Sequence, residues 1–117
     1  NVEDTVSAVL SYQKKGRVFP VTLRLSYAQT KEVRGFEFQF TDSTLFVDLR
    51  ANSYRLYNEE GELQEEKSDA TTRNQLSEAE VLHFFGCVKK RKETKVNIVE
   101  AKKSLDIALK IKKIIHT

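Results

Sequence analysis

The sequence predicts an α+β fold, in which a mostly antiparallel sheet of about five to six strands precedes two C-terminal helices packed on one face of it. Apolar and polar residues alternate with a period of two through the first half of the chain, and two amphipathic helical patterns follow. The chain has 117 residues, of which 39% are hydrophobic, and this suits one modest core. We therefore predict a single domain over residues 1–117, with strands over about 5–66 and helices over about 75–90 and 98–115.

Five apolar rows define the predicted strands, because residues two apart in a strand lie on the same side of a sheet. Turns separate the rows at Lys14–Arg17, at 41–44 and at 58–62, and a polar connector over 65–73 follows. Pro20 cannot donate to a strand ladder, so we expect it at a sheet edge or at the start of its strand. The rows are Val6/Ala8/Leu10/Tyr12, Phe19/Val21/Leu23/Leu25/Tyr27, Phe36/Phe38/Phe40, Leu45/Val47/Leu49 and Tyr54/Leu56.

The opposite side of these strands is mixed in character. A solvated sheet face is usually richer in Lys and Glu, so this face is suited to meet another sheet. An ordinary semi-polar outer face is the alternative, since isolated apolar side chains are common on surfaces. The residues expected to share the face are Ser7, Val9, Ser11, Thr22, Arg24, Ser26, Gln39, Thr41 and Phe46.

Both predicted helices begin with capping residues. Asn74 or Ser77 can cap the first, and Ser77 forms a capping-box pattern with Glu80. Gly86 inside this helix predicts close packing there. In the second helix Asn97 is the expected cap and pairs with Glu100. The apolar stripes are Val81, Phe84, Phe85 and Val88 in the first helix, and Ile98, Ala101, Leu105, Ala108, Ile111 and Ile115 in the second, where an Asp106/Lys110 pair is expected on the wet side.

Positive charge is concentrated in the tail. Residues 1–74 carry 10 Lys and Arg against 12 Asp and Glu, whereas residues 75–117 carry 10 against 5. The run Lys89–Lys92 has the clustered cations of a nucleic-acid patch, but no aromatic residue is interleaved to stack on bases. Cations also complement the end of a helix, so we interpret the run as a solvated helix terminus and predict no nucleic-acid partner.

We recognise no membrane-spanning or signal-peptide pattern in the sequence. No apolar stretch is long enough to cross a bilayer and the N-terminus has no signal-peptide pattern, so we predict no membrane partner. Cys87 is the only cysteine, which makes the reducing cytoplasm the simplest compartment. The chain opens at Asn1 without Met and moves at once into strand-like sequence. We expect a segment excised from a longer chain, with processing of a shorter precursor as the alternative.

The tail QLSEAEVLHFFGCVKKRKETKVNIVEAKKSLDIALKIKKII resembles the closing segment of the Gfo/Idh/MocA oxidoreductase family. The shared order is an acidic turn leading to His-Phe, a short basic loop, a Val-containing extended piece and a final helix with Ala and Ser-Leu. Upstream, Val2–Leu10 and the Ser26–Gln29 and Arg34–Glu37 stretches resemble the family's large sheet. Where many relatives have a glycine-bearing turn, this chain has Thr41-Asp42-Ser43-Thr44, which leaves the subfamily and its substrate open.

The resemblance implies a parent enzyme that uses NAD or NADP on a sugar or polyol. Family members carry a Rossmann domain and a Glu-Lys-Pro motif with a catalytic lysine, and this chain has neither that motif nor G-x-G-x-x-G. It is therefore similar to the distal part of the C-terminal domain, whose sheet supports the substrate pocket and pairs subunits in this family. The isolated chain is accordingly expected to hold no cofactor, no metal and no catalytic residue.

Two pairs of residues have side chains suited to chemistry. Gln29 and Arg34 can grip hydroxyl or carboxylate groups and are the candidate substrate-binding residues, with surface salt bridging as the alternative. His83 and Cys87 lie four residues apart and have the types of a nucleophile pair or half a metal site. A metal needs further ligands, so we interpret them as packing residues.

Two hypotheses of function follow. In the first, the chain is a C-terminal substrate-support and oligomerisation segment of an NAD(P)-dependent sugar or polyol oxidoreductase, inactive alone, and self-associates through its sheet face. In the second, it is a free-standing α+β binding module acting through that sheet face or through the basic tail.

Overall fold

The computed structural model describes residues 4–116 and confirms the α+β class, with six antiparallel strands and two C-terminal helices. The strands begin and end close to the predicted limits, and so do the helices. In chain order the elements are β1 (Thr5–Lys14), β2 (Arg17–Ser26), β3 (Gly35–Gln39), β4 (Ser43–Asp48), β5 (Ser53–Asn58), β6 (Leu63–Ser68), α1 (Arg73–Lys90) and α2 (Ile98–Ile115). Residues 1–3, which include the first two residues of the family-like Val2–Leu10 stretch, lie outside the described residues.

The strands form two sheets instead of the one sheet predicted: β1 pairs with β2, and β3-β4-β5-β6 form a second sheet in that order. The break falls at 27–34, where no strand forms. Tyr27 N–H donates to the Asp4 carbonyl at 2.7 Å and closes the hairpin one residue beyond the ladder. After it the alternation of apolar and polar residues is lost until Gly35, and this loss explains why pairing does not continue.

The chain divides into two compact units, and each is described by itself. One unit joins Asn1–Lys31 to Val96–Thr117 and contains the β1–β2 hairpin and α2; the other spans Glu32–Lys95 and contains the four-stranded sheet and α1. The single-domain organisation stays a prediction.

The hairpin has the turn and the register that its sequence indicates. Lys15 and Gly16 adopt positive φ angles of 51° and 77°, as a tight hairpin turn requires. Thr5 lies opposite Ser26 and Lys14 opposite Arg17, which places the two predicted apolar rows on one side. On that side Tyr12 stacks on Phe19 with ring centroids 5.8 Å apart.

The four-stranded sheet has two chemically different sides. We call one the apolar face; its residues on β3, β4 and β5 are Phe36, Phe38, Leu45, Val47, Tyr54 and Leu56. We call the other the polar face; its residues on the same strands are Gly35, Glu37, Gln39, Thr44, Phe46, Asp48, Ser53, Arg55 and Tyr57. The last strand, β6, includes 65–68, which we had assigned to a connector, and a register shift lies between Leu56 and Tyr57.

α1 begins earlier than predicted, because Thr72 is its cap and not Asn74 or Ser77. The Thr72 hydroxyl accepts the Gln75 N–H and the Gln75 side chain returns to the Thr72 N–H, so the capping box is shifted along the chain. The residues before the cap are held by Asn52, whose side-chain amide donates to the Thr71 carbonyl at 2.7 Å. Arg91 ends the helix in the left-handed conformation, with φ of 51°.

The predicted cap of α2 is confirmed: the Asn97 side chain accepts the N–H groups of Val99 and Glu100. Glu100 bonds Lys103 at 2.6 Å. Asp106 pairs with Lys102 at 3.2 Å, four residues before it, and not with Lys110 as expected. These are exposed helix pairs and stabilise α2 only slightly.

No side chain is buried among residues 4–116. The helical stripes that we expected to cover a sheet face remain exposed, with Phe84 at 54% and Phe85 at 63% in α1. The surroundings of Gly86 are also more open than the predicted close packing, because a Cβ there would meet no atom within 4 Å. Within the described part of the chain, neither helix has both the length and the apolar content of a membrane span.

Candidate functional site

The candidate site is a shallow recess of about 330 Å³ in the four-stranded sheet. It lies where β3 begins, β4 ends and β5 begins, so antiparallel pairing brings three separate stretches of sequence together. Charged and aromatic side chains share its lining, including Arg34, Glu37, Phe46 and Arg55. Such a mixture can hold a polar ligand or a protein surface.

Gly35 shapes this recess because it lets its strand, β3, lie very close to β4. A Cβ on Gly35 would lie 2.2 Å from the Val47 carbonyl oxygen, which is far inside van der Waals contact. Only glycine allows β3 to approach β4 in this way. The position opposite Gly35 is Asp48, whose carboxylate accepts the N–H groups of Arg50 and Ala51 at 2.8 and 3.0 Å. The Asp48 side chain therefore stabilises the turn that follows β4.

A row of three residues crosses the recess on the polar face: Glu37 on β3, Phe46 on β4 and Arg55 on β5. Phe46 packs edge-on against Tyr57, with centroids 5.8 Å apart, yet 40% of it stays exposed. Glu37 accepts a hydrogen bond from the Gln39 amide at 2.9 Å. Among residues 4–116 the Arg55 guanidinium has no ion-pair partner.

Of the two predicted substrate-binding residues, Arg34 lines the recess and Gln29 does not. Arg34 accepts the Leu49 N–H through its carbonyl at 2.9 Å, which fixes its backbone at the sheet end. The neighbouring Glu32 carboxylate is paired with Arg50 at 2.6 Å, and within the described residues Arg34 forms no ion pair. Gln29 belongs to the other unit. Arg55 was not foreseen as a lining residue, because its place beside Phe46 depends on the β4–β5 register.

The apolar face carries a hydrogen bond between side chains of β5 and β6. The Tyr54 hydroxyl donates to the Glu65 carboxylate. This hydrogen bond raises the pKa of Tyr54 above its usual value, because only the protonated hydroxyl can donate it, and the negative charge of Glu65 adds to the effect. Near the start of α1, the Thr71 hydroxyl and N–H both donate to Asp69, at 2.5 and 2.9 Å, and lower the pKa of the Asp69 carboxyl.

His83 and Cys87 do meet, at the end of α1. The Cys87 sulfur lies 3.6 Å from His83 Nε2, and the same nitrogen accepts the Lys95 N–H at 3.2 Å. Cys87 also contacts the Glu93 carbonyl at 3.5 Å. Because both side chains hold the loop after α1, the geometry favours a structural role for the pair.

Within residues 4–116, no three His, Cys, Asp or Glu side chains group as a metal site. The glycines with positive φ are Gly16 and Gly61, both in strand–strand turns, and not at the strand-to-helix turn that holds a dinucleotide pyrophosphate. Neither turn therefore has the form of a dinucleotide-binding loop.

A scan with family models, a search among curated proteins and a search among solved structures each returned no match to this chain.

Proposed function

We propose that this chain is the C-terminal substrate-support and oligomerisation segment of an NAD(P)-dependent sugar or polyol oxidoreductase and is not catalytic alone. The observation that carries the proposal is the absence of any buried side chain within residues 4–116, with large apolar side chains such as Phe36, Phe84 and Phe85 more than half exposed, which is typical of a segment that completes its packing against another surface. The order of strands and helices, and the family-like tail, agree with such a segment.

Calorimetry tests the catalytic part of the proposal. Titration of the isolated chain with NADH or NADPH is expected to give no binding heat, and no sugar or polyol oxidation is expected in its presence. Tight binding of either nicotinamide would contradict the assignment, since it would require a dinucleotide site within these residues.

The substrate-support role rests on Arg34, which lies at the recess without an ion pair in the described part of the chain. A guanidinium donates five N–H groups and suits hydroxyl or carboxylate groups of a sugar-like ligand. An NMR titration of the chain with a sugar acid is expected to shift the resonances of the recess, and R34A is expected to remove the shift. R50A is the matched control, because Arg50 is paired with Glu32 and does not line the recess. Equal shifts in R34A and the unmodified chain would contradict this role.

The alternative is a free-standing binding module, which the exposure of the basic run Lys89–Lys92 at the end of α1 favours. Such a module would capture nucleic acid with an affinity that falls steeply with salt. Filter binding at two salt concentrations separates the hypotheses, because the oxidoreductase segment is expected to retain no nucleic acid at either.

A further inference from the structure

We infer that the outer end of the β1–β2 hairpin is a docking surface for an acidic segment of another protein. Five side chains form this surface, which we call the hairpin tip: Tyr12, Lys14, Lys15, Arg17 and Phe19. A shallow recess of about 440 Å³ lies among the three cations and Phe19. The hairpin tip belongs to a different unit from the recess in the four-stranded sheet, so this inference goes beyond the proposed function and does not depend on it.

The hairpin carries charge of one sign only. Residues 5–31 contain three lysines and two arginines but no Asp or Glu. The net charge of residues 1–74 hides this excess, because residues 32–74 carry 10 Asp and Glu against 5 Lys and Arg. Among residues 4–116, none of the three cations of the hairpin tip forms an ion pair. The hairpin therefore has no carboxylate of its own and leaves these cations to a partner.

The strand register brings two of these cations face to face. Lys14 lies directly opposite Arg17, and Lys15 follows in the turn. Like charges directly opposite each other in an antiparallel pair destabilise the sheet. A carboxylate bound between the two side chains would remove this repulsion. The pair is therefore a local cost in stability that a bound acidic group offsets.

The aromatic pair next to these cations favours carboxylates over nucleic acid bases. Tyr12 lies opposite Phe19, on the same side of the hairpin as Lys14 and Arg17, because residues two apart in a strand share a side. The two rings stack on each other, with centroids 5.8 Å apart and an angle of 17° between their planes. Each ring covers one face of the other, so a base cannot insert between them.

The edges of the same two rings add to the positive surface. Side chains stand roughly perpendicular to a sheet, so stacked rings direct their edges away from the strands. The edge of an aromatic ring is its positive part, and Tyr12 and Phe19 are 39% and 45% exposed. Beside them the Arg17 guanidinium can donate two parallel N–H groups to one carboxylate, and the lysines act as point charges. A short segment rich in Asp and Glu has the chemistry that this surface requires.

Fluorescence anisotropy of the full chain with a labelled polyglutamate peptide tests the inference. The unmodified chain is expected to bind the peptide, and the dissociation constant is expected to rise with salt. The double variant K14Q/R17Q is expected to raise that constant by about tenfold or more, because it removes two of the three cations. The matched control is K89Q/K90Q, which removes the same charge at the end of α1 and is expected to change the constant by about twofold at most.

A stability measurement separates a docking role from a structural one. K14T removes the repulsion with Arg17, so it is expected to raise the urea midpoint of unfolding while it weakens peptide binding. An insertion between Lys15 and Gly16, where open space surrounds the glycine, is expected to leave the fold intact and to abolish peptide binding. A K14T variant that is less stable and binds the peptide as before would overturn the inference.

The remaining outcomes are equally decisive. Failure of the unmodified chain to bind polyglutamate at low salt would overturn the inference, and so would equal losses in K14Q/R17Q and K89Q/K90Q. Stronger binding of an oligothymidylate of matched charge, lost in K14Q/R17Q, would show that the partner is a nucleic acid. A change in the sedimentation of K14Q/R17Q alone would show that the partner is a second copy. Each of these results leaves the nicotinamide and sugar-acid titrations of the proposed function unaffected.

Discussion

The same substitution, glycine to alanine, is expected to have opposite effects at two positions of this chain. At Gly35 the added methyl group would lie 2.2 Å from the Val47 carbonyl oxygen and 3.3 Å from its carbon, so β3 must move away from β4. Forcing a group into occupied space costs about 1–3 kcal/mol. At Gly86 the methyl group meets nothing within 4 Å, and alanine stabilises a helix interior by about 1 kcal/mol relative to glycine.

The free energy of unfolding, from urea titrations followed by circular dichroism at one fixed protein concentration, measures both changes. G35A is expected to lower it and G86A to raise it, with a difference between the two variants of about 2–4 kcal/mol. The fixed concentration matters because any self-association adds to the apparent stability. A G35A variant as stable as the original chain would show that β3 and β4 do not approach as closely as the structure indicates.

Three further predictions concern hydrogen bonds of the Glu32–Lys95 unit. T72A removes the α1 cap and is expected to cost about 1 kcal/mol in urea unfolding, whereas S77A, inside the helix, should cost little. Because the pKa of Tyr54 is raised above 10.0 in the folded chain, its contribution to stability is present below pH 10 and is lost as the pH rises through the raised value; E65Q should lower that pKa in an NMR titration. Because the pKa of Asp69 is lowered below 3.8, its contribution is present above that pH and is lost as the pH falls through the lowered value, so D69N should flatten the acid limb of the stability profile.

The local elements were predictable because short-range patterns dominate them. Strict alternation gave the hairpin its limits, and Gly16 marked its turn. Helical spacing of apolar residues located both helices, and Asn97 alone had the position and chemistry to cap α2. The start of α1 was misplaced because the polar connector offers several capping residues in a row. Thr72 becomes the cap because the Asn52 side chain donates a hydrogen bond to the Thr71 carbonyl. This contact joins distant positions, so no local sequence pattern reveals it.

The site was only partly predictable for the same reason. Arg34 stood out as a cation at the start of a strand, and it does line the recess. Glu37, Phe46 and Arg55 lie in one row only because two strand pairs have a particular register. An alternating pattern does not fix that register, because sliding one strand by two residues against its partner keeps the same side chains on the same face. The division into two sheets was missed because alternation predicts that a strand forms and does not predict which strand it joins.

Asn52, in the turn between β4 and β5, uses its side-chain amide to hydrogen-bond the chain that leads into α1. Asn52 also accepts the Asp69 N–H through its carbonyl at 2.9 Å, so the turn grips that stretch at two points. Lengthening this turn would therefore disturb a helix that begins some twenty residues later. The turn between β1 and β2 makes no such long-range bond among the hydrogen bonds of the described residues, and its Gly16 has open space around it. An inserted epitope or fluorophore tag belongs at Lys15–Gly16, and the Asn52 turn should be left at its natural length.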